Sequence, residues 1–219
     1  MRWNIAPLLY RIIKNQTDIP NAPPIPDAVL KGMEAAYIKT YMVNQSNFSD
    51  LTAIIKSLTA AGIRVILLKG AHLAPFVYQD MGIRWMADID ILILRAHLHQ
   101  ANDILIKMGY SYPYVNGTAV WDDFGKRKEV GDQAAVIDWY KAHHMHLNYF
   151  NPNGLQNLEL HYGIARNASP FSIDTEGLWK RAQTEDLRGT PVQVLSPEDL
   201  ILHISLHDAY YHPFSVPRI

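Results

Sequence analysis

The sequence predicts a mixed α/β protein of the α+β kind: a small mixed β-sheet flanked by helices, with helical segments at both ends. Three observations carry that prediction. Residues 63–94 (IRVILLKGAHLAPFVYQDMGIRWMADIDILIL) read as an apolar strand, a tight turn, a short helix and a second apolar strand. After Ala142 apolar and polar residues alternate, the period of a half-buried strand. Long stretches on either side repeat their apolar residues at helical spacing, without the regular strand–helix rhythm of a doubly wound sheet.

Bulk properties narrow the class further. The 219 residues can bury a sizeable core, and 48% apolar with 19% charged residues is the balance of a soluble globular chain. A net charge of −1 gives no support to broad attraction for nucleic acid or membranes. The absence of cysteine excludes disulfides and thiolate chemistry and suits a reducing cytoplasm. Residues 1–16 are too interrupted by Asn4, Arg11 and Lys14 for a signal peptide, and no run approaches the ~20 apolar residues of a membrane span. A cytoplasmic protein with no membrane partner is expected.

In chain order, Ile5, Leu8, Leu9, Ile12 and Ile13 predict an amphipathic helix over 5–15. Pro20, Pro23, Pro24 and Pro26 make the next stretch a connector. A long helical region follows over 27–61, with Asp27 as N-cap and Gly62 as its stop. Within it Asn44-Gln45-Ser46-Asn47 predicts a kink or a solvent-facing stretch. Residues 64–68 form a short buried strand, 71–78 a helical turn interrupted by Pro75, and 83–86 lead into the strand opened by Asp88. Residues 96–108 predict a helix stopped by Gly109, and 110–133 an irregular stretch or hairpin. The alternation after Ala142 predicts a strand with His144, His146 and Asn148 on its polar face. A turn at 151–154 then returns the chain antiparallel through Leu158-Glu159-Leu160-His161. Helices are expected over 174–183 and 197–210, the latter with Ser196 as cap and Pro197 at its first position. The domain reading is a helical segment over 1–61, a core over 62–165 and a mainly helical segment over 166–219.

The chemistry centres on three acids. Asp88 and Asp90 sit two apart on a strand and therefore share a face. Like charges held together are costly unless a cation lies between them. With Glu159 they form the carboxylate set that two-metal phosphoryl chemistry requires, and Mg²⁺, or Mn²⁺ in its place, accepts such hard oxygen ligands. The turn Lys69-Gly70-Ala71-His72 closes the neighbouring strand, where glycine lets backbone approach a phosphate. Arg84, four residues before Asp88, could reach a triphosphate oxygen. Each feature alone has a plainer reading: an ordinary D-x-D pair, an ordinary turn, a solvent-facing glutamate. Their order along the chain is what gives them weight together.

That order resembles the nucleotidyltransferase superfamily (DNA polymerase beta-like), whose signature is h-G-[GS], then D-h-[DE]-h, then a third h-[DE]-h. More closely, it is similar to the branch called uncharacterised nucleotidyltransferases. Its elements stand here as VILLKGAHL (65–73), RWMADIDILI (84–93) and ELHY (159–162), with Ala71 at the second position of the glycine motif. APLLY (6–10), LSPEDL (195–200) and the helix of His203 and His207 extend the likeness along nearly the whole chain. The resemblance implies a nucleotidyltransferase-like core and Mg²⁺-dependent transfer of an NMP group from an NTP, ATP foremost, to a small-molecule, peptide or protein acceptor. Asp88, Asp90 and Glu159 would be the catalytic and metal-binding residues. Lys69, Gly70, Ala71, His72, Arg84 and His161 would bind the nucleotide. Family members continue beyond the His207 helix, so the C-terminal segment reads as shortened. Two alternatives stay open: an inactive nucleotide- or partner-binding protein of the same fold, and a metal-dependent phosphohydrolase. Among the ten histidines, His144, His146 and His161 could together hold zinc, though neither cysteine nor an H-E-x-x-H spacing supports it. His161, on the same face as Glu159, is the foremost functional histidine, orienting the carboxylate or touching a phosphate. His203 and His207 read as structural or acceptor-side.

Overall fold

The computed structural model describes residues 5–15, 24–111, 119–121, 127–129, 132–151, 156–165 and 173–211. Helix α1 (Ala6–Asn15) lies against α2 (Asp27–Ala60). The Tyr10 hydroxyl donates to Glu34 at 2.6 Å, and the Tyr10 and Tyr37 rings meet at 5.4 Å. Helix α2 is continuous. Pro26 is its N-cap and Asp27 its first helical residue, so the expected cap falls one residue early; the carboxylate complements the helix dipole instead. The expected kink at 44–47 is absent. Asn44 and Asn47 are fully buried, and Asn44 Nδ2 donates to the carbonyls of Met81 at 2.7 Å and Arg84 at 2.8 Å. The Asn44 amide is polar because it holds a loop, not because it meets water. Gly62, at φ +77°, releases the chain from the helix.

The central sheet combines β1 (Ile66–Leu67), β2 (Asp88–Leu92), β5 (His146–Tyr149), β6 (Asn157–His161), β7 (Gln183–Leu187) and β8 (Thr190–Val194) in the order β5-β6-β2-β1-β8-β7. It is mixed: β2 runs parallel to β6 and β1 parallel to β8, while β1–β2, β5–β6 and β7–β8 are antiparallel. This is the mixed sheet flanked by helices that the sequence predicts. A separate two-stranded pair, β3 (Ala119–Trp121) with β4 (Arg127–Glu129), supplies a hairpin-type pairing within 110–133. Two elements lie outside the sequence reading: α5 (Gln133–His143) and the β7–β8 hairpin, which brings part of the C-terminal segment into the central sheet beside β1. Residues 152–154 of the expected turn lie outside the described residues; Asn151 donates to Asp50 at 2.9 Å.

Alternation along β2 gives the sheet two apolar faces. Ile89 and Ile91 point into a core with Phe48, Leu51, Ile54 and Leu58 of α2 and Leu98 and Leu105 of α4 (Leu98–Lys107), which follows a 3₁₀ turn at Arg95–His97. Leu92 points the other way, joining Ile66 and Leu68 against Leu178 and Trp179 of α6 (Thr175–Arg181) and Leu200 of α7 (Pro197–Tyr211). Helix α7 begins at Pro197 with the Ser196 hydroxyl accepting from the Asp199 amide at 3.3 Å, the expected cap. Between β1 and β2 the chain makes α3 (Lys69–His72) and a π-helical turn, Leu73–Val77, that absorbs Pro75. Among the described residues no helix is long and apolar enough to cross a membrane.

Candidate active site

Strand register assembles the site. In the β2–β6 pair Asp88 lies opposite Asn157, Asp90 opposite Glu159 and Leu92 opposite His161. In the β5–β6 pair Asn148 lies opposite Glu159 and His146 opposite His161. Directly paired residues share a face. One face of three neighbouring strands thus carries Asp88, Asp90, Glu159, His161, His146 and Asn148, with Leu92 as its apolar floor.

Asp90 is the centre of this patch and almost wholly buried, with 1% of its surface exposed. Its Oδ1 accepts from Lys69 Nζ at 2.6 Å and from His161 Nε2 at 2.9 Å. The same two donors reach Glu159 Oε2, each at 3.3 Å. Lys69 achieves this from the first residue of α3 with φ at +42°, a left-handed conformation that a side chain rarely adopts. Backbone strain therefore coincides with the residue that delivers a cation to two carboxylates. Gly70 has a local packing reason: a Cβ there would stand 2.7 Å from Met86 Cγ.

The charges on the patch respond to one another. Burial disfavours the charged Lys69, but attraction to Asp90 and Glu159 outweighs it and raises the ammonium pKa. Burial likewise opposes a charged His161, yet its bonds to Asp90 and Glu159 push its pKa up. Glu159 is driven well below the usual carboxylate range: burial works against this, and the His161 hydrogen bond with nearby His146 and Lys69 overcomes it. Asp88 goes the other way. Burial first, then repulsion from Asp90 and Glu159, lifts it to about 6. Three carboxylates share two nearby cationic groups, and Asp88 carries the uncompensated charge.

The remaining expected residues divide. Ala71 and His72 are buried in α3; burial depresses His72 to about 4, and its ring meets Phe76 edge-on at 6.2 Å. Arg84 precedes β2, its carbonyl held by Asn44. His144 leaves the zinc set suggested by the sequence: its ring packs on Trp139 and Tyr140 at the end of α5. The third ligand-type group beside His146 and His161 is Glu159, and one donor atom from each lies within 4.8 Å of the others. Asn148 and His203 complete the surroundings. His203 is 2% exposed, neither ring nitrogen has a hydrogen-bond partner among the described residues, and burial, then the charges of His161 and Lys69, hold its pKa well down. The i, i+4 spacing of His203 and His207 was the sequence signal for this helix face; what it faces depends on β-pairing far away in the chain.

The fit of a divalent ion can be judged from these groups. Asp88, Asp90 and Glu159 supply hard oxygen donors on one face, and Asp90 and Glu159 already draw Lys69 and His161 onto themselves. Such a donor set suits Mg²⁺.

A Thermotoga maritima protein whose crystal structure is described as that of "a putative nucleotidyltransferase" is similar to this chain at 13% identity and a TM-score of 0.48. The alignment covers 76% of this chain and 88% of that one. No curated protein matches the sequence. The family described as uncharacterised nucleotidyltransferase matches residues 2–215, nearly the whole length, and this chain belongs to that family.

Proposed function

We propose that this nucleotidyltransferase moves an NMP group from an NTP, ATP foremost, to a small-molecule, peptide or protein acceptor, with Mg²⁺ or Mn²⁺ held by Asp88, Asp90 and Glu159. The observation that carries the reading is the register placing Asp90 beside Glu159 and Asp88 one pleat away on the same face. When bound, the ion supplies charge stabilisation to the phosphates and the attacking and leaving oxygens. The protein groups have their own roles. Asp90 is fixed in place by His161 and Lys69, which orient its carboxylate. Glu159, held anionic, is suited to bind the ion beside the acceptor more than to take a proton. Lys69 is positioned to pass from the carboxylates to a phosphate oxygen, as a compact point charge on a flexible stem. Ala71 and the neighbouring Gly70 bring backbone close to the nucleotide, and His72 and Arg84 flank it.

Calorimetric titration with a non-hydrolysable ATP analogue, then GTP, CTP and UTP analogues, tests this. Binding is expected only with Mg²⁺ or Mn²⁺ and is lost in Asp88→Asn. Asp88 is the right probe because no hydrogen bond or contact ion pair holds it among the described residues, so removing its charge breaks no bond made by Lys69 or His161. Metal-independent binding, or equal binding by the variant, would sink the reading.

A further inference from the structure

The patch contains a second kind of ligand set that three-carboxylate chemistry does not use. His146 on β5 and His161 on β6 are register partners in an antiparallel pair, with ring centroids 4.9 Å apart. Glu159 stands two residues from His161 on the same face, and one donor atom from each of the three lies within 4.8 Å of the others. A tetrahedral ion with bonds of about 2.0–2.2 Å needs donors ~3.4 Å apart. His161 Nε2 and Glu159 Oε2 are already 3.3 Å apart. His146 needs only a side-chain adjustment to complete the triangle.

The surroundings also point to a ligand. His161 is 1% exposed, and Nδ1 of both His146 and His161 is buried without a hydrogen-bond partner among the described residues. The neighbouring Asn148 Oδ1 is orphaned in the same way. Buried polar atoms left unpaired are costly, so three on one small patch point to a missing partner. Metal bound through His146 Nδ1 accounts for that nitrogen directly and a water in the open position accounts for the amide, while His161 ligates through Nε2 in place of its bond to Asp90.

We propose that His146, Glu159 and His161 form an imidazole–carboxylate site for a zinc-class divalent ion, sharing only Glu159 with the Mg²⁺ position on Asp88, Asp90 and Glu159. Two nitrogens and one carboxylate with an open fourth position are the ligand set of hydrolytic zinc centres, whereas Mg²⁺ avoids imidazole. Glu159 is common to both positions, so it stands between two ions of different character. The site does not depend on nucleotide transfer and holds if that reading fails.

The test uses the full-length chain freed of metal by chelation and titrated with Zn²⁺ against a chromophoric chelator, then with Co²⁺ as a spectroscopic substitute. Zn²⁺ is expected to bind the wild type, and His146→Ala is expected to weaken it by more than about 100-fold, the upper end of what losing an outer-shell partner costs. Asp88→Asn is expected to leave zinc affinity unchanged while removing Mg²⁺-dependent nucleotide binding, which separates the two readings. No zinc binding by the wild type, or equal affinity in His146→Ala, would overturn the proposal. If His146→Ala does not fold, the wild-type Co²⁺ spectrum decides. Intense visible bands from a four-coordinate, nitrogen-bearing site support the assignment, and the weak bands of an octahedral all-oxygen ion refute it.

Discussion

Asp88 and Asp90 are chemically identical and one pleat apart, yet their surroundings give them opposite effects on stability. Asp90 accepts from Lys69 and His161 in the interior, so its charge is compensated. Asp88 feels burial and two like charges, and its pKa rises to about 6. A carboxyl that holds its proton more tightly folded than unfolded contributes stability that is fully present below its unfolded value near 3.8. That contribution is lost as pH climbs through about 6. In metal-free protein, Asp88→Asn should therefore be as stable as the wild type near pH 3.5 and more stable at pH 7, by on the order of 1–3 kcal/mol. Asp90→Asn should do the reverse at pH 7, costing about 3 kcal/mol because Lys69 and His161 lose their shorter charged contact. Urea unfolding of the three proteins across pH in a chelating buffer measures both. A destabilised Asp88→Asn would show that the charge is already compensated. The D-x-D spacing revealed the shared face; the difference between its two members depends on Lys69 and His161, which no spacing rule connects.

At the scale of single elements, α2 shows how a polar run misleads. Asn44-Gln45-Ser46-Asn47 looks like a break because amides in a helix usually mark a cap or a wet face. Here Asn44 is buried and bridges the carbonyls of Met81 and Arg84, fixing the segment that delivers Met86 under Gly70 and Asp88 into β2. Asn44→Ala removes the donor shared by the two carbonyls and should cost about 1–3 kcal/mol. It should also raise the amide exchange of residues 83–88 more than that of β6, as followed by hydrogen–deuterium exchange. Uniform loss of protection would mean that Asn44 acts on the whole fold and not on this loop. Other elements escaped the sequence for equally physical reasons. Strand β7, QTEDL, is exposed at four of its five positions, so it shows no apolar alternation; as an edge strand it gains from charge. Its partner is joined by a two-residue turn whose residues, Arg188 and Gly189, both have positive φ, and only the glycine advertises that. Helix α5 is short, and its few buried positions do not make a long stripe. Strand β5 was legible because it buries alternate side chains, and β1, β2 and β6 because apolar residues run through them; the parallel pairings β2–β6 and β1–β8 were not, since their partners lie far apart in the chain.

The whole molecule places its chemistry on one face of a sheet whose two faces are packed by different parts of the chain. α2 and α4 cover the side of Ile91, while α6 and α7 cover the side of Leu92, where the carboxylates and histidines also lie. Adjacent residues of one strand thus report on opposite layers. Ile91 and Leu92 are both fully buried, and truncation of either to alanine should cost about 2–5 kcal/mol through lost burial and a residual cavity. Their effects on the site should part company. Leu92 pairs across the sheet with His161 and supports the ring that orients Asp90, whereas Ile91 points away into the α2 layer. Under conditions where both variants are folded, Leu92→Ala should weaken Mg²⁺-dependent nucleotide binding and Ile91→Ala should not. Urea unfolding gives the stability of each, and calorimetric titration of the folded variants gives the affinity. Equal loss of affinity in both would mean that the site senses the stability of the sheet as a unit. Loss confined to Leu92→Ala would show that the site is held from its own side, by the layer that α6 and α7 build over β1 and β2.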